Sequence, residues 1–271
     1  MNRVTWLVAA LLLAGAAAPA SAAPAASPTP TATPAATPTS TSTLEIAAGV
    51  WSPTLGGTIG QGATNVSLTG TLNLPNDSSP AIDLDWHTGR SHWIVSYVGL
   101  ANNATTNINT SFFYNNQLFT FGNVVASSIQ FNDLTVGWEP RIAGGNTDRA
   151  AELDALVMVD ILNINTNLRD LNTTANASAN YTAPVPLLGL AGQIPLGNAF
   201  DFYGRAGFLS ANVSGINGSV FDYRAGIKWN FTHNWLVDVD YRGFSFNGHD
   251  GHSNNGNLQY GGPTFELGAK F

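Results

Sequence analysis

From residue 44 to the C-terminus, the chain alternates between apolar and polar residues with a period of two. In VFDYRAGIKWNF, residues 220–231, the odd-numbered positions are aromatic or aliphatic, and most even-numbered positions are charged, small or polar. Successive side chains of a β-strand point to opposite faces, so this spacing predicts strands with one apolar and one polar face. No stretch carries a sustained helical stripe, and we therefore expect an all-β fold.

The direction of the apolar faces decides between two all-β architectures. In a soluble sandwich they would form the core, and the charged faces would lie in water. Two features favour a membrane-spanning barrel that is apolar outside: tryptophan and tyrosine lie near strand ends, as in aromatic girdles, and short turns alternate with long polar loops. The short turns are HTGRSH, PLGNAF and NFTHNW, and the long loops are predicted near residues 56–80, 101–127, 165–181 and 246–258.

Strand parity assigns each side chain to the lipid or to the barrel interior. The predicted lipid-facing and girdle residues are Trp86, Trp93, Tyr97, Trp138, Trp229, Trp235, Tyr241, Phe265 and Phe271. The predicted interior network comprises Asp83, Asp85, Glu152, Asp154, Asp160, Asp201, Arg205, Asp222, Arg224, Lys228, Asp238, Asp240, Arg242, Glu266 and Lys270. Buried charges are tolerated when they are paired, so we expect a closed ionic network. Because acids outnumber bases, a cation-preferring pore is the alternative.

The N-terminal residues have the features of an export signal. MNR is a short positive start, VTWLVAALLLAGAAA is apolar, and ASA at residues 20–22 is a small-residue cleavage site. Residues 23–42 contain only Ala, Pro, Thr and Ser, a composition typical of a flexible, disordered linker. We therefore expect a signal peptide over 1–22, a linker over 23–42 and a folded domain over 43–271.

Two absences in the sequence exclude further classes of function. The chain has no cysteine, which excludes disulfides, cysteine nucleophiles and a lipoprotein anchor. It also has no cluster of lysine and arginine, so we expect no nucleic-acid partner.

The chain ends on GGPTFELGAKF, in which apolar residues alternate up to Phe271. A sheet in lipid must pair every backbone polar group and therefore close on itself. This ending resembles the C-terminal signal of bacterial outer-membrane barrels, and the resemblance implies recognition of Phe271 by the barrel assembly machinery. The layout of residues 44–271 resembles small OmpA- and OmpX-type barrels of Gram-negative bacteria. It implies a closed antiparallel barrel in the outer membrane, in contact with membrane lipid and lipopolysaccharide. We expect about ten strands, with eight as the alternative.

Three classes of function fit these features. The first, which we favour, is an integral barrel with a structural or narrow porin-like role that is not an enzyme and needs no metal or cofactor. The second is an outer-leaflet lipid A-modifying hydrolase, because His252 and Ser253 resemble the histidine and serine of lipid A deacylases. That family places the serine two residues after the histidine, whereas Ser253 follows directly. The third is adhesion or ligand binding through the long loops.

A protease of the omptin type is also similar in strand number and in its acid pairs. Such a protease would need its acid pairs at the outer rim. Here the pairs Asp83–Asp85 and Asp238–Asp240 are predicted at the short-turn end, which disfavours this function.

Overall fold

The computed structural model describes residues 42–145, 150–213, 216–249 and 254–271. The secondary-structure elements in these ranges are all β-strands. No helix in the described residues is long and apolar enough to cross a membrane. The strands are β1 (Ser42–Trp51), β2 (Thr54–Gln61), β3 (Thr64–Ser67), β4 (Ser79–Thr88), β5 (Ser91–Asn107), β6 (Phe112–Tyr114), β7 (Gln117–Phe119), β8 (Val124–Gly144), β9 (Glu152–Asp170), β10 (Asn176–Leu196), β11 (Phe200–Val213), β12 (Ile216–Trp229), β13 (Trp235–His249) and β14 (Asn254–Lys270). The predicted signal peptide and all but the last residue of the predicted linker lie outside the described residues.

Ten wall strands form a closed antiparallel barrel. The order around the ring is β1, β4, β5, β8, β9, β10, β11, β12, β13 and β14, and β14 pairs back onto β1. β2 continues β1 beyond a break at Ser52–Pro53 and keeps the same register against β14, so the two make one wall strand. The predicted all-β barrel of ten strands is confirmed, and the alternative of eight is wrong.

The outward face of the barrel is an apolar band bounded by aromatic rings. At the short-turn end Trp93 stacks on Trp138 and Phe200 on Trp229, with ring centroids 6.0 Å apart in each pair. From Trp229 to Phe221 the strand rises about 26 Å at ~3.3 Å per residue, which is ~20 Å along the membrane normal at a tilt of ~40°. That height approaches the ~25 Å band of outer-membrane barrels. The predicted lipid-facing residues are all exposed on this face: Trp86, Trp93, Tyr97, Trp138, Trp229, Trp235, Tyr241, Phe265 and Phe271.

The wall extends beyond the apolar band on the long-loop side. β5 continues to Asn107, β8 begins at Val124 and β9 continues to Asp170. The loops predicted near 101–127 and 165–181 are therefore largely strand, and their assignment as loops is wrong. In these extensions most outward side chains are polar, whereas many inward side chains are apolar. The alternation therefore continues, but with the apolar face inward, opposite to its direction in the apolar band.

β10 passes through two prolines, which cannot donate hydrogen bonds to a neighbouring strand. Pro184 and Pro186 both keep the regular register with β9. β11, however, pairs with β10 only from Leu188 onward. The preceding residues of β10 thus form an edge, where a missing N–H breaks no ladder bond to a second neighbour. The loose pairing is confined to the β11 side, and prolines on such an edge discourage pairing with another chain.

Candidate functional site

The barrel interior collects the charged side chains of the chain. The residues of the predicted network all lie on inward faces of β4, β9 and β11 to β14, and none of them is exposed. They are Asp83, Asp85, Glu152, Asp154, Asp160, Asp201, Arg205, Asp222, Arg224, Lys228, Asp238, Asp240, Arg242, Glu266 and Lys270. Strand parity places them inward, because even-numbered residues of β9, β12, β13 and β14 share the interior face.

Arg224 is the centre of an ion cluster that joins four wall strands. Its Nη1 lies 2.5 Å from Asp83 Oδ2, and its Nη2 lies 2.6 Å from Asp240 Oδ2 and 2.8 Å from Glu266 Oε2. Asp238 adds a further carboxylate at 3.6 Å. The guanidinium is almost fully buried, and its planar set of donors suits several carboxylates at once. One cation therefore compensates much of the acidic charge of β4, β13 and β14.

A second cluster lies closer to the short turns. Lys228 Nζ is 2.7 Å from Glu45 Oε2 and 3.5 Å from Asp85 Oδ2. Lys270 Nζ approaches the other oxygen of Glu45 at 2.6 Å. These contacts connect β12 and β14 with β1 and β4, where the ring closes.

A third cluster contains an acid that sequence reasoning missed. Asp133, Asp160 and Asp222 place carboxylate oxygens within 4.8 Å of one another, and all three are buried. Arg242 compensates them only in part, since its Nη2 lies 3.6 Å from Asp133 while its Nη1 donates to Ser96 Oγ at 2.9 Å. The inward parity of β8, which follows from the outward Trp138, was the signal that would have found Asp133.

Above the ions, an aromatic layer crosses the interior. The ring of Phe131 on β8 lies 4.9 Å from that of Phe244 on β13 and 5.0 Å from that of Tyr260 on β14. Trp51 on β1 extends the layer, with its ring 6.1 Å from Tyr260. β8 and β13 are five positions apart in a ring of ten strands, so they face each other across the barrel. The Phe131–Phe244 contact therefore spans the interior, which is apolar at this level.

The β6–β7 hairpin covers the long-loop end. On one side Thr64 Oγ1 accepts from the Phe113 N–H at 3.2 Å. On the opposite side the Tyr114 and Thr166 hydroxyls lie 2.5 Å apart, and Asn115 Nδ2 donates to the Ser178 carbonyl. The hairpin buries its own Phe112 and Phe119, and the same core cluster contains further buried apolar side chains from a region predicted to be polar loop: Leu68, Leu72, Leu74 and Ile108. The interpretation of residues 56–80 and 101–127 as purely outer loops is thus wrong.

The short-turn half of the interior contains a cavity of about 60 Å³. That volume holds roughly four water molecules. Its lining includes acids from six wall strands together with Tyr203, Arg205 and His92. The cavity is therefore a space below the aromatic layer that is lined by charged groups and large enough for water.

The residues proposed for other activities fall into two groups. His252 and Ser253 lie outside the described residues. The pairs Asp83–Asp85 and Asp238–Asp240 lie in the half of the barrel that ends in the short turns beside Thr88 and Trp235. Short turns face the periplasm in outer-membrane barrels, so these acids are remote from the outer rim.

Comparisons with known proteins identify the architecture. No protein-family model and no curated protein matches the sequence. The outer membrane protease OmpT of Escherichia coli is similar in structure, with a TM-score of 0.53 and 10% identity over 87% of this chain and 98% of that chain. Ail of Yersinia pestis, the attachment invasion locus protein, matches with a TM-score of 0.37 and 10% identity over 85% and 99% of the two chains. At such identities the likeness concerns the fold alone.

The closed sheet, the apolar outer band and the likeness in fold to OmpT define an integral β-barrel of the bacterial outer membrane. A closed sheet pairs the backbone of its wall strands with one another, apart from the proline-containing edge of β10, and the apolar band requires a hydrocarbon environment.

Proposed function

We propose that this protein is a closed, non-conducting outer-membrane barrel with a structural role. The observation that carries the proposal is the contact of Phe131 with Phe244 across the full width of the barrel. Ions cross a pore through water, and an apolar layer in close contact holds none. The narrow porin is the alternative, in which the acidic lower half would select cations.

Two further layers support closure. The guanidinium of Arg224 links β12 to Asp83 on β4, four positions away around the ring. On the long-loop side, the β6–β7 hairpin bridges β2 and β3 to β9 and β10. An ion would have to displace an ion network, an aromatic layer and a hydrogen-bonded cover in turn.

Single-channel recording in a planar bilayer tests the proposal. We expect the refolded mature chain, beginning near residue 23, to show no discrete openings. The matched variant replaces residues 109–121 by a two-residue turn and changes Phe131 and Phe244 to serine. A two-residue turn can join the ends left by this deletion, because the Gly122 N–H already donates to the Ile108 carbonyl at 2.9 Å. Openings in this variant alone support closure by these layers, whereas reproducible cation-selective openings in the unmodified chain would establish the narrow porin.

Binding of outer-leaflet sugars is a second candidate role, favoured by an uncharged polar ladder above the apolar band. The register places Asn132 on β8, Asn163 on β9 and Thr182 on β10 side by side. The next outward-facing row toward the long-loop end repeats the pattern with Gln130, Asn165 and Asn180. Asn163 Nδ2 donates to Thr182 Oγ1 at 2.7 Å on the exposed face. Amides and hydroxyls in a flat array suit saccharide hydroxyls, and this height corresponds to the sugars of lipopolysaccharide.

Changing Asn132, Asn163 and Asn165 to alanine tests this second role. We expect lipopolysaccharide to raise the urea midpoint of the unmodified barrel in vesicles, and the triple variant to lose roughly half of that increase or more, since one polar contact contributes about 0.5–1.5 kcal/mol. The midpoint in phospholipid vesicles without lipopolysaccharide serves as the control and should stay unchanged. An equal increase in both proteins would exclude the ladder as a sugar-binding face.

A further inference from the structure

Two histidines and an aspartate converge where β4 turns into β5. Asp85 and His87 are two residues apart on the inward face of β4, and His92 on β5 lies directly opposite His87 in the register. The connecting turn is tight, with Gly89 at a φ of 60°. The hairpin therefore holds three potential metal ligands together without help from a mobile loop.

Their separations are those of ligands around one ion. His87 Nε2 lies 3.3 Å from Asp85 Oδ1, and His92 Nδ1 lies 3.8 Å from the same oxygen. A tetrahedral ion bound at about 2.0–2.1 Å needs ligand atoms ~3.4 Å apart. Asp85 Oδ1 and His87 Nε2 are buried and have no hydrogen-bond partner in the part of the chain that the structure describes. We propose that Asp85, His87 and His92 bind a divalent transition-metal ion, with Zn²⁺ as the reference ion.

The surroundings of His92 match those of a metal-bound imidazole. Its second nitrogen, Nε2, lies 3.1 Å from Glu152 Oε1 without the alignment of a hydrogen bond, and Glu152 is itself paired with Arg141. A carboxylate at the far nitrogen is the usual partner that orients a ligating histidine. The second oxygen of Asp85 lies 3.5 Å from Lys228 Nζ, which leaves Oδ1 for the ion.

A purely ionic pair of protonated histidines explains the geometry less well. The imidazole rings of His87 and His92 have centroids 3.8 Å apart. Two imidazolium rings in contact repel each other, whereas two imidazoles that share one bound cation do not. The cavity of about 60 Å³ borders both Asp85 and His92, and water there would complete the coordination. Imidazole and carboxylate together suit Zn²⁺ and neighbouring transition metals better than Ca²⁺ or Mg²⁺.

Zn²⁺ titration of the refolded mature chain by calorimetry, after removal of metal by a chelator, tests the proposal. All proteins carry His249→Gln and His252→Gln, so that these two histidines, which are not part of the proposed site, do not contribute. We expect one site in this background and at least a tenfold loss of affinity in His87→Gln and in His92→Gln. His233→Gln, in the exposed turn after β12, is the matched control and should bind as the background does.

Co²⁺ absorption provides a readout that a merely structural role would not change. The background protein should give the visible bands of a low-coordinate Co²⁺ site, and His92→Gln should not. Heat-modifiable gel mobility checks folding, and Asp85→Asn replaces any variant that fails this check. Equal Zn²⁺ affinity in the background and in the folded His or Asp85 variants would overturn the site, as would no binding at all by the background.

Discussion

Replacing Arg224 by methionine is expected to destabilise the barrel more than any other single change of a charged residue. The side chain keeps much of its volume, but Asp83, Asp240 and Glu266 lose the cation that lies 2.5–2.8 Å from their oxygens. Removing one partner of a buried ion pair costs about 3–5 kcal/mol, because a charge remains buried without compensation. Urea unfolding in lipid vesicles measures this loss of free energy. On a gel, the fraction of Arg224→Met that runs as the folded, heat-modifiable band should also be smaller than in the unmodified protein.

Arg90→Met is the matched control for Arg224→Met. Arg90 lies exposed in the β4–β5 turn, and a surface substitution of this kind changes stability by less than ~0.5 kcal/mol. Adding Asp240→Asn and Glu266→Gln to Arg224→Met should recover part of the loss, since both neutralise acids that the arginine compensated. If the triple variant is no more stable than Arg224→Met, charge compensation is not the reason for the role of Arg224.

Strand parity was sufficient to predict the architecture, the lipid face and the inward direction of the acids. It succeeds because a strand in lipid exposes one face to hydrocarbon, so Trp229, Ile227 and Ala225 must alternate with polar neighbours. Parity also places Asp133 inward, since it lies an odd number of residues from the outward Trp138. Which acid pairs with which base depends on strands far apart in sequence, such as Arg224 with Asp83, and no local pattern encodes that.

The closure of the long-loop end could not be predicted in the same way. Outside the hydrocarbon band both faces of the wall meet water or protein, so polar outward residues such as Asn163 and Asn165 resemble loop residues. The buried Leu68 and Leu72 share a period of two with the buried Val66 and Leu74, but the chain forms turns over residues 68–71 and no wall strand there. Their burial follows from tertiary packing inside the ring. Sequence alone therefore indicated an acidic lumen without showing the apolar layer above it.

Phe131→Ala is expected to show whether this apolar layer is packed as tightly as a protein core. Phe131 is fully buried and contacts the rings of Phe244 and Tyr260. Truncating a buried phenylalanine costs about 3–5 kcal/mol, because transfer free energy is lost and the remaining space closes only partly. The free energy of unfolding in vesicles should fall by this amount.

Phe121→Ala supplies the comparison for Phe131→Ala, since Phe121, in the connection that precedes β8, is 66% exposed. Its replacement should alter the free energy of unfolding by less than ~0.5 kcal/mol. A similarly small loss for both variants would mean that water already enters at the level of Phe131, and the interior would then be a water path. A large loss for Phe131→Ala alone means that the layer is a packed core. A barrel with such a core has no continuous water path, as the proposed closed barrel requires.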